Sequence, residues 1–184
     1  MLSAIKRKTV AKFEKILYEK IKDHIWNSNP LDYHEFTFIE FLCLPSFSDY
    51  FLLQLYWNQK DLHWVRSYWK RENDKGFLEF WLEYACENNE ILPLELSMTK
   101  EEGKVPAIEI NEILHSLNKI QTQSFFLPSD SEKGRCGEDR RLKIGRIGSS
   151  ITLDWLSSST PIEWKDLDEL TEKIHLLNKK LISN

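Results

Sequence analysis

From Tyr33 to Glu72 the sequence pattern has a period of two, which limits the choice of fold severely. The alternation covers three segments, EFTFIEFLCL at 35–44, DYFLLQLYWNQ at 49–59 and LHWVRSYWKRE at 62–72, separated by PSFSD and NQKD. A period of two is that of a strand, whose successive side chains point to opposite faces of a sheet. The sequence therefore predicts three successive strands of a mainly antiparallel sheet.

A helix is predicted at each end of the chain. From about Ser3 to Ile25, apolar residues recur every three or four positions with Lys and Glu between them. Near the other end, Thr160 and Glu163 have the spacing of a capping box, and Pro161 falls at the first helical position. The predicted buried stripe of this second helix consists of Trp164, Leu167, Leu170, Ile174, Leu177 and Leu181.

The middle of the chain leaves an alternative open. GFLEFWLEYAC at 76–86 is either a strand or a helix that leaves Phe80 outside its apolar stripe, and we expect the strand. LPLELSMTKEEGKVPAIEI at 92–110 is expected to form a strand, a glycine-containing turn and a short strand. A short helix over NEILHSLNKI should follow, with Asn111 as its N-cap.

The stretch RRLKIGRIGSSITLDW at 140–155 contains two glycines three residues apart. A phosphate-binding glycine loop normally opens into a helix, but the residues that follow here, ITLDW, alternate as in a strand. We therefore expect a β-hairpin that turns at Gly148 and Ser149, with Gly145 as a bulge or a site of close backbone approach.

These elements predict an α+β fold with an N-terminal helix, a mainly antiparallel β-sheet and two C-terminal helices packed on the sheet. With 184 residues, 41% of them hydrophobic, the chain is long enough to bury one core, and we expect a single domain. Its parts are an N-terminal helix at 1–26, a mainly β region at 33–110, and a helix, hairpin and C-terminal helix at 111–184.

The composition argues against several classes of function. A formal net charge of −4 gives no general reason to bind nucleic acid. No run approaches the roughly 18–20 apolar residues of a membrane span, and the first residues lack the apolar region of a secretion signal. Three widely spaced cysteines are typical of a reducing compartment, so we expect a cytoplasmic protein.

The sequence carries no catalytic or metal-binding signature. Five histidines are scattered without the close pairs of a metal motif, and no serine lies in a GxSxG motif. We therefore expect no cofactor and no metal. The alternative is an enzyme whose cysteine, histidine and carboxylate meet only in space, with Cys136, in a glycine-rich loop, as the thiol expected to be accessible.

Aromatic residues beside charged ones indicate a surface that binds protein. Trp64, Arg66 and Tyr68 share one face of the third predicted strand, and these residue types are typical of binding hot spots when they are exposed. The alternative is that helices cover both faces of the sheet and every tryptophan lies in the core. Further partner contacts are expected at the acidic pair Glu79 and Glu83 and at the charged loop of Glu138, Asp139, Arg140 and Arg141.

The C-terminal half, from Ala107 to Leu177, resembles a known type of protein. It contains AIEINEILHSLNKI, a strand-like FFLP, the segment CGEDRRLKIGRIGSSITLDW, and PIEWKDLDEL with its P-x-E-W-x-x-L pattern. This layout is similar to that of small cytoplasmic immunity proteins of bacterial contact-dependent or polymorphic toxin systems. The corresponding loop commonly reads D-G-T-x-Y-E-L, whereas this chain has GEDRRLKI, and no functional residue is carried over.

The resemblance implies a non-catalytic protein that binds and blocks a cognate toxin domain. Such a partner is a protein, so neither nucleic acid nor a membrane is expected to bind. Two other functions stay open, namely the enzyme with a Cys/His/carboxylate site and a structural or adaptor subunit, including a homodimer.

Overall fold

A computed structural model describes residues 2–27, 37–45, 49–58, 60–121, 138–146, 149–157 and 164–182. Within these ranges the chain forms, in order, α1 (Leu2–Asn27), β1 (Thr37–Leu44), β2 (Tyr50–Asn58), β3 (Asp61–Trp69), α2 (Lys75–Asn88), β4 (Met98–Lys104), α3 (Ala107–Gln121), β5 (Asp139–Arg146), β6 (Ser149–Leu156) and α4 (Lys165–Ile182). A 3-10 turn, Arg71–Asp74, leads from β3 into α2.

The described strands form one antiparallel sheet in the order β4-β3-β2-β1-β5-β6. β1, β2 and β3 are the three strands predicted from the alternation. β5 pairs with the edge of β1 that β2 leaves open, so β1 lies inside the sheet. The predicted α+β fold, with an N-terminal helix, an antiparallel sheet and two C-terminal helices, is confirmed.

Helices cover both faces of this sheet. Phe41 of β1 belongs to a core cluster that includes Ile174 of α4 and further residues of α3. Its neighbour Leu42 points to the other face and packs in a cluster with Ile21 of α1 and Leu78 of α2. None of the helices in the described ranges is both long and apolar enough to cross a lipid bilayer.

The segment expected as a fourth strand is a helix, α2, so that prediction is wrong. Its buried residues, Leu78, Trp81 and Ala85, are three and four positions apart, as in an amphipathic helix. Phe80 suggested a period of two, but it is 55% exposed and packs against Tyr84, with ring centroids 6.1 Å apart. Aromatic residues on the exposed side of a helix had imitated the alternation of a strand.

The first strand expected within residues 92–110 is present but begins later than expected. Residues 91–97 have no regular secondary structure, and β4 begins only at Met98. Leu92 and Leu94 pack against the cluster around Trp81, so their alternation reflects an irregular segment with one side packed on the core. Gly103, expected in a turn, lies inside β4.

The third helix begins earlier than expected. AIEI is the first turn of α3 and not a short strand, so Asn111 lies within the helix and is not its N-cap. The backbone N–H groups of Glu109 and Ile110 donate to the carbonyl of Pro106, which marks the start of the helix. A proline just before the first turn is compatible with a helix, since its missing N–H has no helical partner there.

The predicted hairpin strands and the C-terminal helix are confirmed. β5 and β6 pair in a regular ladder that contains no bulge at Gly145, whereas residues 147–148 lie outside the described ranges. The predicted capping residues Thr160, Pro161 and Glu163 also lie outside them. The residues of the α4 stripe that are buried as predicted are Trp164, Leu167, Leu170, Ile174 and Leu177, with Leu181 partly buried.

The edge strand β4 places Gly103 directly opposite Trp64 of β3. A Cβ atom added at Gly103 would lie 3.0 Å from the indole Nε1 atom and 3.1 Å from Cε2. The indole ring therefore covers the backbone that the glycine leaves open, a contact known to rescue edge glycines. Gly76, in the first turn of α2, has no atom within 4 Å of such a Cβ.

We expect Gly103→Ala to lower the free energy of unfolding by about 1–3 kcal/mol, because the methyl group overpacks against a buried indole. Gly76→Ala is the matched control and should raise it by about 0.5–1 kcal/mol, since it adds a better helix former in open space. Urea unfolding followed by tryptophan fluorescence measures both. Equal effects of the two substitutions would contradict the close contact above Gly103.

A buried carboxylate fastens the 3-10 turn to the segment before β4. Asp74 accepts hydrogen bonds from the indole Nε1 of Trp69 at 2.7 Å, from the backbone N–H of Ser97 at 2.7 Å and from its hydroxyl at 2.6 Å. Burial alone raises the pKa of Asp74, but these hydrogen bonds outweigh burial and hold the pKa below its ordinary value.

Asp74→Ala should lower the free energy of unfolding at neutral pH by about 1–3 kcal/mol, because it leaves the indole and amide donors unpaired. Asp61→Ala, which breaks the exposed ion pair with Lys104, is the control and should lower the free energy of unfolding by less. Since the folded pKa of Asp74 is depressed, its contribution is present above the unfolded value of about 3.9 and is lost as the pH falls through the folded pKa. Chemical denaturation at neutral and acidic pH measures the difference in unfolding free energy between the unmodified protein and Asp74→Ala. This difference should become smaller in acid, and a difference that grows in acid would contradict the depressed pKa of Asp74.

Candidate functional site

The aromatic residues expected on a surface of β3 are packed inside the structure. Trp64 is 7% and Arg66 5% exposed, and Tyr68 is partly buried against the same core cluster. The guanidinium of Arg66 lies 4.2 Å from the ring centre of Tyr68, and both side chains donate hydrogen bonds to Glu101 of β4. Helices cover both faces here, the alternative that the sequence left open, so these residues hold the edge of the sheet together.

Two of the charged residues at the start of β5 are likewise tied within the chain. Asp139 accepts hydrogen bonds from the ammonium group of Lys22 at 3.0 and 3.1 Å. Arg141 donates to Asp154 at 2.9 Å, and its guanidinium lies 5.1 Å from the ring centre of Trp26. These contacts join the sheet to α1 and occupy the charges that were expected to meet a partner.

The acidic pair Glu79 and Glu83 lies on the exposed side of α2. Phe80 and Glu87 are exposed on the same side of the helix, since positions three and four apart are neighbours on a helix surface. We call Glu79, Phe80, Glu83 and Glu87 the acidic aromatic face. Between residues 75 and 90 the sequence has one lysine and four glutamates, so this part of the surface is strongly negative.

A cleft of about 820 Å³ opens beside the acidic aromatic face, between α1, α2 and the 3-10 turn. Its lining includes the aromatic rings of Tyr18, Tyr50 and Trp69. Glu79 lies on its wall, so the cleft is continuous with the acidic aromatic face. A concave site beside an exposed aromatic residue is an arrangement that can admit a side chain of a partner protein.

On the opposite face of the sheet, three groups that no sequence motif connects lie together. Cys43 of β1, Glu138 just before β5 and His175 of α4 each place one ligand atom within 4.8 Å of the others. The thiol of Cys43 donates a hydrogen bond to Oε2 of Glu138, with a separation of 3.6 Å. The ring of His175 packs on that of Phe51, and its buried Nδ1 atom has no hydrogen-bond partner among the described residues.

Arg140 fixes the carboxylate of this cluster. Its guanidinium donates to Oε2 of Glu138 at 2.8 and 3.2 Å. It also donates to Asp168 at 3.1 Å, to Thr171 at 3.1 Å and to Glu172 at 2.6 Å, all on α4. Three carboxylates therefore meet at one guanidinium at this place.

The protonation states decide what the cluster can do by itself. Burial raises the pKa of the Cys43 thiol, and the charge of Glu138 raises it further. Burial lowers the pKa of His175, so its imidazole is neutral at neutral pH. Burial alone raises the pKa of Glu138, but Arg140 outweighs it and holds that pKa below its ordinary value. The thiol is therefore protonated, whereas nucleophilic catalysis needs a thiolate.

Sequence reasoning missed this cluster because its members come from three distant segments. Cys43 and Glu138 are 95 positions apart in the chain. The one available signal was the alternation of β1, which places Cys43 on the same face as Phe41 and thus beneath the C-terminal helices. Cys136, the thiol that the sequence singled out, lies outside the described residues.

Comparisons with known proteins return no match to this chain among protein-family models, curated proteins or solved structures. The features of the molecule that bear on its function are therefore the acidic aromatic face, the adjoining cleft and the buried cluster.

We expect Cys43 to resist alkylation in the folded protein, because its thiol is buried and protonated. Iodoacetamide labelling of a Cys136→Ser variant, read by peptide mass spectrometry, compares Cys43 with the partly buried Cys86. Cys43 should react at least about tenfold more slowly than Cys86 in the folded protein and equally fast in concentrated urea. Faster labelling of Cys43 than of Cys86 would indicate an activated thiol and would favour an enzyme.

Proposed function

We propose that this protein is a non-catalytic binding protein that attaches to a cognate bacterial toxin domain and blocks it, as an immunity protein does. The acidic aromatic face of α2, next to an open cleft, is the observation that supports protein binding. The resemblance of the C-terminal half to immunity proteins supports a toxin as the partner.

The exposed phenylalanine is the anchor in this proposal. Phe80 is 55% exposed, while Tyr84, which packs on it, donates a hydrogen bond to Glu90 at 3.0 Å. Full burial of a phenylalanine side chain stabilises by about 1.5–3 kcal/mol, and much of this remains available to a partner that covers Phe80. Aromatic residues that enter a pocket of the partner are common hot spots.

The glutamates around the anchor favour a basic partner. Glu79, Glu83 and Glu87 follow one another at intervals of four residues, so each lies next to a like charge on the helix. Such like-charge pairs destabilise an isolated helix by a few tenths of a kcal/mol each, so they do not serve to stabilise α2. A basic surface on the toxin domain removes this repulsion and is steered toward α2 by the opposite charge. Blocking then requires only that the bound protein occludes the active surface of the toxin.

Phe80→Ala should weaken binding to the toxin domain encoded beside this gene by about 10- to 100-fold, mainly through faster dissociation. Leu176→Ala is the matched control, because Leu176 is 54% exposed on α4, on the other side of the sheet. Surface plasmon resonance with the purified toxin domain measures both variants. Equal affinities of Phe80→Ala and the unmodified protein would remove Phe80 as the anchor.

The double charge reversal Glu79→Lys and Glu83→Lys should slow association at low salt by about tenfold or more and flatten its dependence on ionic strength. Glu112→Lys, on the exposed side of α3, is the control that changes charge on the opposite layer. Association rates that depend on Glu112 and not on the α2 pair would contradict the proposed surface. Absence of binding to every toxin domain from adjacent genes would contradict the proposed function itself.

The meeting of Cys43, Glu138 and His175 favours one second candidate, an enzyme with a Cys/His/carboxylate site. Against it stand the complete burial of Cys43 and the raised pKa of its thiol. Hydrolysis of thioester or ester substrates that is lost in Cys43→Ser would support the enzyme over the binding protein.

A further inference from the structure

We infer that Cys43, Glu138 and His175 form a binding site for one divalent transition-metal ion, with zinc as the expected metal. The site lies beneath α4, whereas the acidic aromatic face lies on α2, so the inference does not depend on the proposed function. It departs from the sequence-based expectation that the protein binds no metal.

The donor atoms are of the kinds that zinc binds, and two of them have the spacing that zinc requires. Zn²⁺ binds thiolate sulfur, imidazole nitrogen and carboxylate oxygen at about 2.0–2.3 Å in a tetrahedral arrangement. Two donors at these distances on a tetrahedron are about 3.5 Å apart. Sγ of Cys43 and Oε2 of Glu138 are 3.6 Å apart, and the ligand atom of His175 lies within 4.8 Å of both. The sulfur and the carboxylate oxygen therefore have the separation of two ligands of one ion, and the imidazole is the nearby third donor.

The imidazole of His175 supplies an atom that lacks a partner. Its Nδ1 atom is buried and makes no hydrogen bond within the described part of the chain. Buried polar atoms in proteins are almost always paired, so an orphan here needs an explanation. A metal ion bound through Nδ1 gives this atom a partner, fixes the tautomer of the ring and leaves the other nitrogen as a donor.

The charges around the site favour a divalent cation. Glu138, Asp168 and Glu172 all contact the guanidinium of Arg140, so three carboxylates meet at one guanidinium. These carboxylates attract a divalent ion, which offsets its repulsion by Arg140. The same guanidinium holds the Glu138 carboxylate in place, as outer-shell contacts do in known metal sites.

Metal binding at this site exchanges one proton. The S–H bond of Cys43 is replaced by a bond between sulfur and zinc, and the proton leaves to solvent, while Glu138 and His175 bind through lone pairs without losing a proton. The side chain of Glu138 is 27% exposed, whereas Cys43 is fully buried. The ion therefore reaches the sulfur past the Glu138 carboxylate.

The test uses the full chain with Cys86→Ser and Cys136→Ser, which leaves Cys43 as the one thiol of the three in the sequence. The chelator-treated protein is titrated with Co²⁺ and then with Zn²⁺. One equivalent of Co²⁺ should produce thiolate-to-cobalt charge-transfer absorption, Zn²⁺ should displace it, and Zn²⁺ should raise the midpoint of thermal unfolding. No such absorption and no thermal shift in excess metal would overturn the site.

Ligand variants locate the metal. Cys43→Ser, Glu138→Gln and His175→Gln should each weaken Zn²⁺ binding by about 100-fold or more, beyond the roughly 10–100-fold loss seen for outer-shell partners. His115→Gln, at an exposed position of α3, should bind as the parent protein does. Circular dichroism of the metal-free variants checks that each one is folded. If Cys43→Ser is unfolded, the Zn²⁺ affinity of His175→Gln, a substitution at a partly buried position, tests the site instead. Unchanged affinity in both Glu138→Gln and His175→Gln would place the metal elsewhere and overturn the inference.

Discussion

The structure depends on a sheet whose internal strands are hydrophobic on both faces. Phe41, Leu42 and Cys43 are consecutive in β1 and all fully buried, although successive side chains of a strand point in opposite directions. A sheet of this kind is stable only when helices cover both faces. The chain places α1 and α2 on one face and α3 and α4 on the other.

This two-sided cover separates the chemistry of the molecule into two places. Beneath α4, Arg140 gathers carboxylates beside Cys43 and His175 in a packed interior. On the other side, α1 and α2 leave a cleft between them, and α2 exposes Phe80 among glutamates. The buried cluster beneath α4 suits a bound ion, and the acidic aromatic face with its cleft suits a protein partner. Loss of ion binding therefore need not affect partner binding.

The sequence was informative where nearly every apolar residue of an element is buried, and it failed where exposed apolar residues obscured the pattern. The alternation of β1 to β3 and the stripe of α4 are strong because nearly every apolar residue in them is buried. α2 was misread because Phe80 is apolar and exposed, and the start of α3 because Ile108, 69% exposed, mimics strand alternation before Ile110. The exposure of Glu79 and Glu83 could be predicted because charged side chains are seldom buried. Cys43 and His175 come together through the topology of the fold, and no local sequence pattern predicts this contact.

We propose that the protein acts through the outward surface of α2, and a complex with the proposed toxin partner tests this most directly. Hydrogen–deuterium exchange of the free protein and of the complex, followed by peptide mass spectrometry, reports which backbone segments a partner covers. The account predicts slower exchange in the complex from residue 75 to residue 91 and unchanged exchange in α3 and α4. Protection confined to α3, α4 or the β5–β6 hairpin, with α2 unaffected, would contradict it.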